Sequence, residues 1–407
     1  MSNTVAMLSV HTSPLDRPGR TKDAGGMNVY IRELARELGH RHNPVDIFTR
    51  WTNEQAPRIV HLSAQARVIH IPAGPLAPVP KNDLYQYLPA FTQQVDEFRR
   101  AEGRDYDIVH SHYWLSGVAA TQLAQRWDVP HVTMFHTLGR LKQMANPNKP
   151  EPPLRLEMEQ QIIQQADRII ATTAEERMQI IRYCGVSAQR VQVIPCGVDL
   201  KLFVAQNKQL ARKKLGLKPQ QPILLFVGRL DPFKGPDLLL QAAAMMAEKA
   251  QIVVVGGKLQ DDEELAALQK LARDLKLSSR VHFLGARPQQ ELPMLYSAAD
   301  VTVVPSYHES FGLVAVESLA CGTPVVASRA GGLMTIVRNN ETGYLVPRGP
   351  GFFAERLDAL LGNPALLARM QLAARPSILH FSWDSVANQV NQTYDALIAE
   401  QACLVAQ

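Results

Sequence analysis

The chain has few cysteines, and they are not spaced as a disulfide framework or a zinc site would require. Among 407 residues there are four of them: Cys184, Cys196, Cys321 and Cys403. None belongs to a C-x-x-C pair, so the pattern indicates neither a bound zinc ion nor an oxidising compartment. We therefore expect free thiols and a cytoplasmic protein.

Long apolar runs and clusters of like charge are also missing. The first apolar run, from Val5 to Val10, is too short to span a membrane and lacks the basic segment of a signal peptide. The net charge of +5 is diffuse, without a Lys/Arg run or an aromatic–basic stripe, and so gives no support to nucleic-acid binding. The sequence predicts small-molecule partners, and the mild positive net charge suits substrates that carry phosphates. A homodimer stays open.

The dinucleotide-binding fingerprint G-x-G-x-x-G is missing too. Gly25 and Gly26 precede a predicted helix, where glycine lets a backbone approach a ligand, but tight loops use paired glycines for structural reasons about as often. Asp105-Tyr106-Asp107 has the D-x-D pattern that can hold a metal. Because it stands before a predicted strand rather than after one, we interpret it as structural.

Length and periodicity predict two α/β domains. A chain of 407 residues exceeds what a single core usually fills. Strand and helix patterns alternate in both halves, which is typical of open, mostly parallel sheets with helices on both faces. A Lys-rich helix at 206–215 and the segment 218–222 are interpreted as the linker. Strands are predicted at 5–10, 45–49, 68–71, 108–110, 132–135, 168–172, 223–227, 253–257, 281–288 and 299–306, and helices at 84–100, 115–127, 155–165 and 383–399.

Ligands of such sheets bind at the carboxyl ends of the strands. In the first half, polar side chains gather at predicted strand ends: His110, His112, Tyr113, His136 and Thr137. The three histidines in this group could bind a metal. However, strand alternation points His110 and His112 the same way without a matched third ligand, so we do not predict a metal site.

The stretch 305–324, PSYHESFGLVAVESLACGTP, predicts a strand end, a polar turn and a helix. Glu309 stands before this helix, and Glu317 lies about two turns into it. The free N–H groups of the helix start, at Gly312 and Leu313, are suited to binding phosphate. A carboxylate on each side suits a ligand with hydroxyls flanking a diphosphate, as in nucleotide sugars. The alternative is a surface helix with two solvated glutamates.

This E-x(7)-E motif, with FG before the helix and CGTPVV after it, resembles glycosyltransferase family 4, a group of retaining enzymes of the GT-B fold. The resemblance covers nearly the whole chain. It implies two Rossmann-like, doubly wound α/β domains that face each other across a cleft, with a C-terminal helix crossing back to the first domain. The expected boundaries are 1–203 for an acceptor-binding domain, 204–380 for a nucleotide-sugar-binding domain and 381–407 for the returning helix.

The resemblance also implies the reaction, which is transfer of a hexosyl group from a UDP-sugar without a required cofactor. Magnesium is compatible with this reaction but not implied. The first glutamate would contact sugar hydroxyls and the second the ribose. Arg229 and Lys234, in a loop after a predicted strand, would stabilise charge on the leaving diphosphate. The expected catalytic residues are His136, Arg229, Lys234 and Glu309, and the expected donor-binding residues are Gly26, Arg287, Gly312, Leu313 and Glu317.

The flanking sequences imply an acceptor that carries a phosphate. GGMNVY, SHYWLSG, EPPLR and HESFGLVAVE resemble the inositol-phosphate N-acetylglucosaminyltransferases of the family. LYQYLPAF, EFRRAEG and HTLGRLK are similar to the sucrose-phosphate synthases. Inositol phosphate with UDP-GlcNAc and fructose 6-phosphate with UDP-glucose therefore both stay open. The expected acceptor-binding residues are Asn28, Lys81, Tyr113, Thr137 and Arg155.

Other classes of function have weaker support. A family 4 transferase with a lipid or glycan acceptor would not need the phosphate pocket. A nucleotide-sugar epimerase would keep the two domains but need ionisable groups around the sugar. A non-catalytic nucleotide-sugar sensor would lose His136 or the pair Arg229 and Lys234, and this chain keeps all three.

Overall fold

The computed structural model describes residues 2–16, 25–145, 148, 150–258 and 262–405. Within these residues the chain divides into two compact units. One comprises 2–16, 25–195 and 383–405, and the other runs from 196 to 382. The polar loop that the sequence predicts after the first strand, up to residue 23, lies in part at 17–24, outside the described residues.

The first unit is built on a sheet whose strands are Val5–Leu8 (β1), Val45–Arg50 (β2), Ile59–His61 (β3), Ala66–Ile71 (β4), Ile108–His112 (β5), His131–Met134 (β6), Arg168–Ala171 (β7) and Val191–Val193 (β8). Their order across the sheet is β3-β4-β2-β1-β5-β6-β7-β8. Only β3, at the edge, is antiparallel among these described strands. The helices between them are Gly26–His40 (α1), Leu88–Ala101 (α2), Trp114–Trp127 (α3), Gly139–Ala145 (α4), Pro153–Gln165 (α5) and Ala174–Cys184 (α6).

The second unit has a fully parallel sheet of the strands Ile223–Val227 (β9), Gln251–Val255 (β10), Val281–Gly285 (β11), Val301–Val304 (β12), Val325–Ser328 (β13) and Gly343–Val346 (β14). Their order is β11-β10-β9-β12-β13-β14. The helices of this unit are Lys208–Lys214 (α7), Pro236–Met245 (α8), Glu263–Asp274 (α9), Leu292–Ala298 (α10), Leu313–Ala320 (α11), Leu333–Ile336 (α12), Pro350–Leu361 (α13) and Pro364–Ala374 (α14). Short 3-10 turns occupy Lys81–Asp83, Tyr85–Tyr87, Ala188–Arg190, Gln289–Glu291 and Pro376–Phe381.

The last helix, Trp383–Val405 (α15), belongs to the first unit. Arg41, which follows α1, forms an ion pair with Asp384 at 2.5 Å, and the Asn3 amide donates to the Asp395 carboxylate at 2.7 Å. These contacts place the helix against the amino-terminal part of the chain. The return of the C-terminal segment to the first unit is therefore confirmed.

Each unit has its own apolar core. The first is centred on buried side chains such as Phe48, Phe91 and Leu115, and the second on Leu239 and Phe353. The central strands are buried along their length, as expected for parallel strands covered on both faces. In the part of the chain that is described, no helix is long and apolar enough to cross a membrane.

The interpretation of the Lys-rich helix as a linker was wrong. Arg212 of α7 is buried and donates to the carbonyl of Ala298 and to the Asp300 carboxylate, at 2.9 and 2.6 Å. Lys208 pairs with the same carboxylate at 2.5 Å. Arg212 and Lys208 therefore belong to an ion-pair network within the second unit, which a solvated linker would not contain.

The predicted helix 84–100 also starts later than expected. A 3-10 turn, Tyr85–Tyr87, occupies its beginning, and α2 runs from Leu88. Pro89 stands in the first turn of α2, where a residue without an N–H group is tolerated. Proline therefore marks the true start of the helix, and Lys81 belongs to the turns before it.

Candidate functional site

The strand order places one group of polar side chains where a ligand site is expected in the first unit. The chain crosses from β2 and β4 on one side of β1 to β5 on the other, so a topological switch point lies between β1 and β5. His11 follows β1, Tyr113 follows β5 and His136 follows β6. Ligands of open α/β sheets bind at the carboxyl ends of strands at such a point.

Two of these residues have strained backbones. Tyr113 has a φ of +74° and His136 a φ of +58°, in the left-handed region that side chains other than glycine seldom adopt. Glycine would adopt these angles more easily, yet the positions carry large ring side chains. Strain of this kind clusters at functional sites, so it supports a binding role for both residues.

Four of the five predicted acceptor residues are linked by contacts: Lys81 and Arg155 lie beside the ring of Tyr113, and Arg155 bonds to Thr137. The Lys81 Nζ lies 5.9 Å from the ring centroid, and the Arg155 Cζ lies 4.9 Å from it. Arg155 also donates to the Thr137 carbonyl at 2.5 Å. The structure adds His11, whose ring centroid lies 4.3 Å from that of Tyr113.

Arg155 is not a solvated cation. It is 4% exposed, and it donates to Glu151 at 2.6 Å and to Glu159 at 2.7 Å. Burial disfavours its charge, but Glu159, Tyr113 and Glu151 together outweigh burial and raise the pKa of Arg155. The guanidinium is therefore fixed and charged. Three of its five N–H groups make these contacts and the bond to Thr137.

The fifth predicted acceptor residue, Asn28, is placed differently. It is completely buried, and its amide donates to the Thr12 hydroxyl at 2.7 Å and to the Ser13 carbonyl at 2.6 Å. Its carbonyl oxygen accepts from the Gly25 N–H at 2.9 Å. Asn28 thus holds the loop after β1 against the start of α1, where the exposed Gly26 is the first helical residue.

The histidines at the ends of β5 and β6 form a buried cluster. His112 Nδ1 lies 3.0 Å from His136 Nε2, and His110 Nδ1 lies 2.6 Å from the Tyr394 hydroxyl. Burial, together with the nearby His11, lowers the pKa of His136 to about 3. Burial, with His110 next in effect, lowers the pKa of His112 well below its usual value. These rings are therefore neutral.

Neither metal pattern considered in the sequence forms a cluster suited to a metal ion. Within the described ranges, no group of three or more His, Cys, Asp or Glu side chains is arranged to hold one. In the D-x-D segment, Asp105 pairs with Arg99 at 2.6 Å and Asp107 accepts from the Thr4 N–H at 2.7 Å. These contacts are structural ones.

A second group of side chains lies at the switch point of the second sheet, between β9 and β12. Lys234 comes from the loop after β9 and Glu309 from the loop after β12. Because these strands are parallel neighbours, the two loops leave the sheet at the same edge. Lys234 Nζ and Glu309 Oε1 form an ion pair of 2.6 Å, and the Ser306 hydroxyl donates to the same oxygen at 2.8 Å.

The two glutamates of the E-x(7)-E motif have opposite pKa shifts. Burial opposes ionisation of Glu309, but Lys234, with smaller effects from Ser306 and His308, outweighs burial and lowers the pKa. Burial raises the pKa of Glu317 to about 7, although Tyr296 donates to its carboxylate at 2.8 Å. Glu317 is 7% exposed. The alternative of two solvated glutamates is therefore wrong.

The helix start between these glutamates is held in place by glycines. Gly312 caps α11 with a φ of +108°, and the first N–H groups of the helix, beginning with Leu313, have no intrahelical partner. The Gly332 N–H donates to the Glu309 carbonyl at 2.8 Å. A Cβ on Gly331 would lie 2.1 Å from that carbonyl oxygen. The close backbone contact fixes the loop that carries Glu309.

The other two predicted cations of this unit are more exposed. Arg229 lies in the same loop as Lys234 and approaches Asp231 at 3.2 Å. Arg287 follows the edge strand β11 and pairs with Glu291 at 3.5 Å. The structure therefore places Lys234, Glu309 and Arg229 at one switch point, with Arg287 farther along the sheet edge.

Sequence reasoning missed three residues of these sites. His11 follows a predicted strand, so the strand-end rule that selected Tyr113 could have found it. Tyr296 and Ser306, which donate to the two glutamates, had no such signal. Tyr296 lies in a separate helix, and only the packing of α10 on α11 brings it to Glu317.

Family models match both halves of the chain. The model for "Glycosyltransferase Family 4" matches residues 24–202, and the model for "Glycosyl transferases group 1" matches residues 207–376. The D-inositol 3-phosphate glycosyltransferase of Xylanimonas cellulosilytica is 44% identical over 401 residues, which are 96% of each chain. The enzyme of the same name from Nocardiopsis dassonvillei is 42% identical and covers 98% of this chain and 95% of its own.

Solved structures show the same architecture. The sucrose-phosphate synthase of Thermosynechococcus elongatus matches with a TM-score of 0.91 and 36% identity, covering 98% of this chain and all of its own. Anabaena HepE, in complex with UDP and glucose, matches in fold with a TM-score of 0.76 and 21% identity over 97% of this chain and 100% of its own. The chain therefore belongs to glycosyltransferase family 4 and is a GT-B enzyme that transfers a sugar from a nucleotide sugar.

Proposed function

We propose that this enzyme moves a hexosyl group from a UDP-sugar to a sugar or cyclitol that carries a phosphate, with retention at the anomeric carbon. The observation that carries the proposal is that Lys81 and Arg155 both lie beside the Tyr113 ring, with Arg155 also bonded to the Thr137 carbonyl. Two cations and the hydroxyl of Tyr113 suit a dianion. The first unit would thus bind the acceptor phosphate.

The second unit would bind the donor. Glu317 would accept a hydrogen bond from the ribose, and the N–H groups at Gly312 and Leu313 would bind the diphosphate at the positive end of α11. Arg229 and Lys234 would stabilise the charge that develops on the leaving diphosphate. Gly26 and Arg287 complete the proposed set of donor contacts.

The proposed transfer is a front-face displacement. The bond between the anomeric carbon and the diphosphate oxygen breaks, and the acceptor oxygen bonds to the same face of that carbon. The acceptor hydroxyl loses its proton to the leaving phosphate. His136 beside the donor sugar and Glu309 at its hydroxyls would orient the ring. Glu309 is already ion-paired with Lys234, which suits an orienting role rather than nucleophilic attack.

Two acceptors fit the phosphate site. Inositol phosphate is supported by the D-inositol 3-phosphate glycosyltransferases, which are 42% and 44% identical to this chain. Fructose 6-phosphate is supported by the sucrose-phosphate synthase with the TM-score of 0.91. Both acceptors place a phosphate on a six-carbon polyol, so the same cations would serve either.

The test is UDP release from UDP-glucose and UDP-GlcNAc, each offered with fructose 6-phosphate and with inositol 3-phosphate. We expect one donor–acceptor pair to turn over much faster than the others. Proton NMR of the product should show the anomeric configuration of the donor. Release of UDP only with a lipid or glycan acceptor, or an inverted product, would contradict the proposal.

A further inference from the structure

We propose that His112 is a positioning residue, which holds His136 as a fixed hydrogen-bond donor with its hydrogen on Nδ1. The consequence for catalysis rests on the proposed function, since it requires His136 to lie beside the donor sugar. The arrangement of the two rings does not depend on that function.

The sheet sets the distance between the two imidazoles. His112 is the last residue of β5 and pairs in register with Met134 of β6, and the Tyr113 N–H donates to the Met134 carbonyl at 2.9 Å. His136 follows two residues later. This register brings His112 Nδ1 within 3.0 Å of His136 Nε2, with ring centroids 5.1 Å apart. The contact therefore depends on paired strands.

Aromatic side chains surround the two rings. Tyr30 of α1 meets both edge-on, with centroid distances of 5.7 Å to His112 and 5.2 Å to His136. Trp383 of α15 packs on Tyr30 at 5.5 Å. On the other side, the His110 ring lies 4.3 Å from that of His112. His112 and Tyr30 are completely buried, so packed side chains rather than water surround the His112 ring.

The bond joins two neutral imidazoles. Burial lowers the pKa of both rings, as described above, so each carries one hydrogen. One ring must therefore donate and the other accept. Either His112 donates through Nδ1–H, or His136 donates through Nε2–H.

The far nitrogen of His112 distinguishes these arrangements. His112 Nε2 is buried and has no hydrogen-bond partner within the described part of the chain. If His136 were the donor, this nitrogen would carry a hydrogen and leave a buried N–H unsatisfied, which native structures rarely tolerate. If His112 donates, Nε2 has only an unused lone pair. The donor is therefore His112, and the hydrogen of His136 is on Nδ1.

This assignment limits what His136 can do in the reaction. Its only lone-pair nitrogen is occupied by His112, so His136 cannot take a proton from the acceptor. Its Nδ1–H can donate to an oxygen of the sugar or of the leaving phosphate. Such a role agrees with the leaving phosphate as the base, and it makes the orientation of His136 depend on His112.

The direct test is the tautomer of each ring in the full-length wild-type enzyme labelled with 15N-histidine. Multiple-bond 1H–15N spectra at neutral pH distinguish Nδ1–H from Nε2–H imidazoles. We expect Nδ1–H for both rings, with signals assigned by their loss in His112→Phe and His136→Ala. An Nε2–H form of His136 in the wild type would overturn the inference. This outcome does not depend on the kinetics of any variant.

Kinetics test the positioning role. In His112→Phe we expect His136 to populate both tautomers and kcat to fall at least about tenfold, with little change in KM. The matched control is His131→Phe, since His131 is a buried histidine that bonds to Ser111 on the same sheet. It should lower stability without changing the His136 tautomer. An unchanged tautomer in His112→Phe would sink the inference, whereas full activity of His136→Ala would sink only the proposed role of His136.

Discussion

At the scale of single residues, the protonation states of Glu309 and Glu317 differ because only one has a cation beside it. Lys234 keeps Glu309 ionised, whereas burial raises the pKa of Glu317 from 4.5 to about 7. A buried carboxyl group of this kind destabilises the empty protein when it ionises. A ribose hydroxyl of the donor would then give the ionised Glu317 carboxylate a hydrogen bond that offsets part of the cost of its burial.

Glu317→Gln should therefore stabilise the empty enzyme in a pH-dependent way. Below pH 4.5 the carboxyl group is protonated in both states and has no effect. Between pH 4.5 and about 7 the unfolded state ionises and the folded state does not, so the wild type loses stability as pH rises. The variant should gain nothing near pH 4.5 and up to about 3 kcal/mol at pH 8.

Urea unfolding of both proteins at several pH values measures this difference. Glu309→Gln is the control, because the lowered pKa of Glu309 contributes stability above the unfolded pKa and its removal should destabilise the enzyme at pH 8. A Glu317→Gln difference that does not grow with pH would contradict the raised pKa. The proposed ribose contact predicts, separately, weaker UDP binding by calorimetry.

Arg155 gives a second prediction at this scale. Replacing it with alanine leaves Glu151 and Glu159 buried without their shared cation. We expect a loss of about 3–5 kcal/mol in the free energy of unfolding. Chemical denaturation checks this, and an unchanged midpoint would mean that the two carboxylates do not need Arg155. Lys81→Ala, which leaves the ion pairs of Arg155 with Glu151 and Glu159 intact, is the cleaner probe of acceptor binding.

At the scale of elements, the loop before α11 depends on contact with the start of α12. A Cβ on Gly332 would lie 2.2 Å from the Phe311 carbonyl oxygen. Gly332→Ala must therefore displace the segment that carries Glu309 and Gly312. We expect it to weaken UDP binding at least about tenfold, through loss of aligned N–H donors.

Gly351→Ala is the matched control in the same unit. A Cβ there would meet only the Met245 methyl group, at 3.6 Å, which is an ordinary contact. Isothermal calorimetry with UDP should distinguish the two variants. Equal affinities would show that the position of the loop does not determine donor binding.

The helices and strands also show which contacts can be predicted from a sequence pattern. Alternating apolar runs predicted the parallel strands of both sheets, because parallel strands are buried on both faces. Arg155 and Glu159 stand four residues apart within α5, which is a helical pattern, so their contact could have been foreseen. The pair Arg212 and Asp300 could not, because it joins distant segments and the Lys-rich composition around it resembles a linker.

At the scale of the whole molecule, strand order determines where the sites form. The strand-end rule found Tyr113 and His136 from sequence, and the family resemblance indicated Lys234 and Glu309. The contact between His112 and His136 needed the register of β5 on β6, which no single-sequence pattern specifies. The helix α15 adds Tyr394 and Trp383 to the surroundings of those histidines from the far end of the chain.

The central claim is that Lys81 and its neighbours recognise an acceptor phosphate. A double cycle tests it, in which the lysine is removed from the enzyme and the phosphate from the acceptor. The measurement is kcat/KM for the preferred acceptor with and without its phosphate, in the wild type and in Lys81→Ala. Lys270→Ala, at an exposed position in α9, serves as the surface-charge control.

The account predicts that kcat/KM of the wild type falls by several orders of magnitude when the acceptor lacks its phosphate. The reason is that charge-assisted hydrogen bonds contribute about 1.5–3 kcal/mol each. It also predicts that Lys81→Ala reduces this preference by about 10- to 100-fold, because the lysine acts only through the phosphate. Lys270→Ala should keep the preference of the wild type. A free sugar or cyclitol that reacts as well as its phosphate, or a Lys81→Ala variant that slows both acceptors equally, would contradict the account.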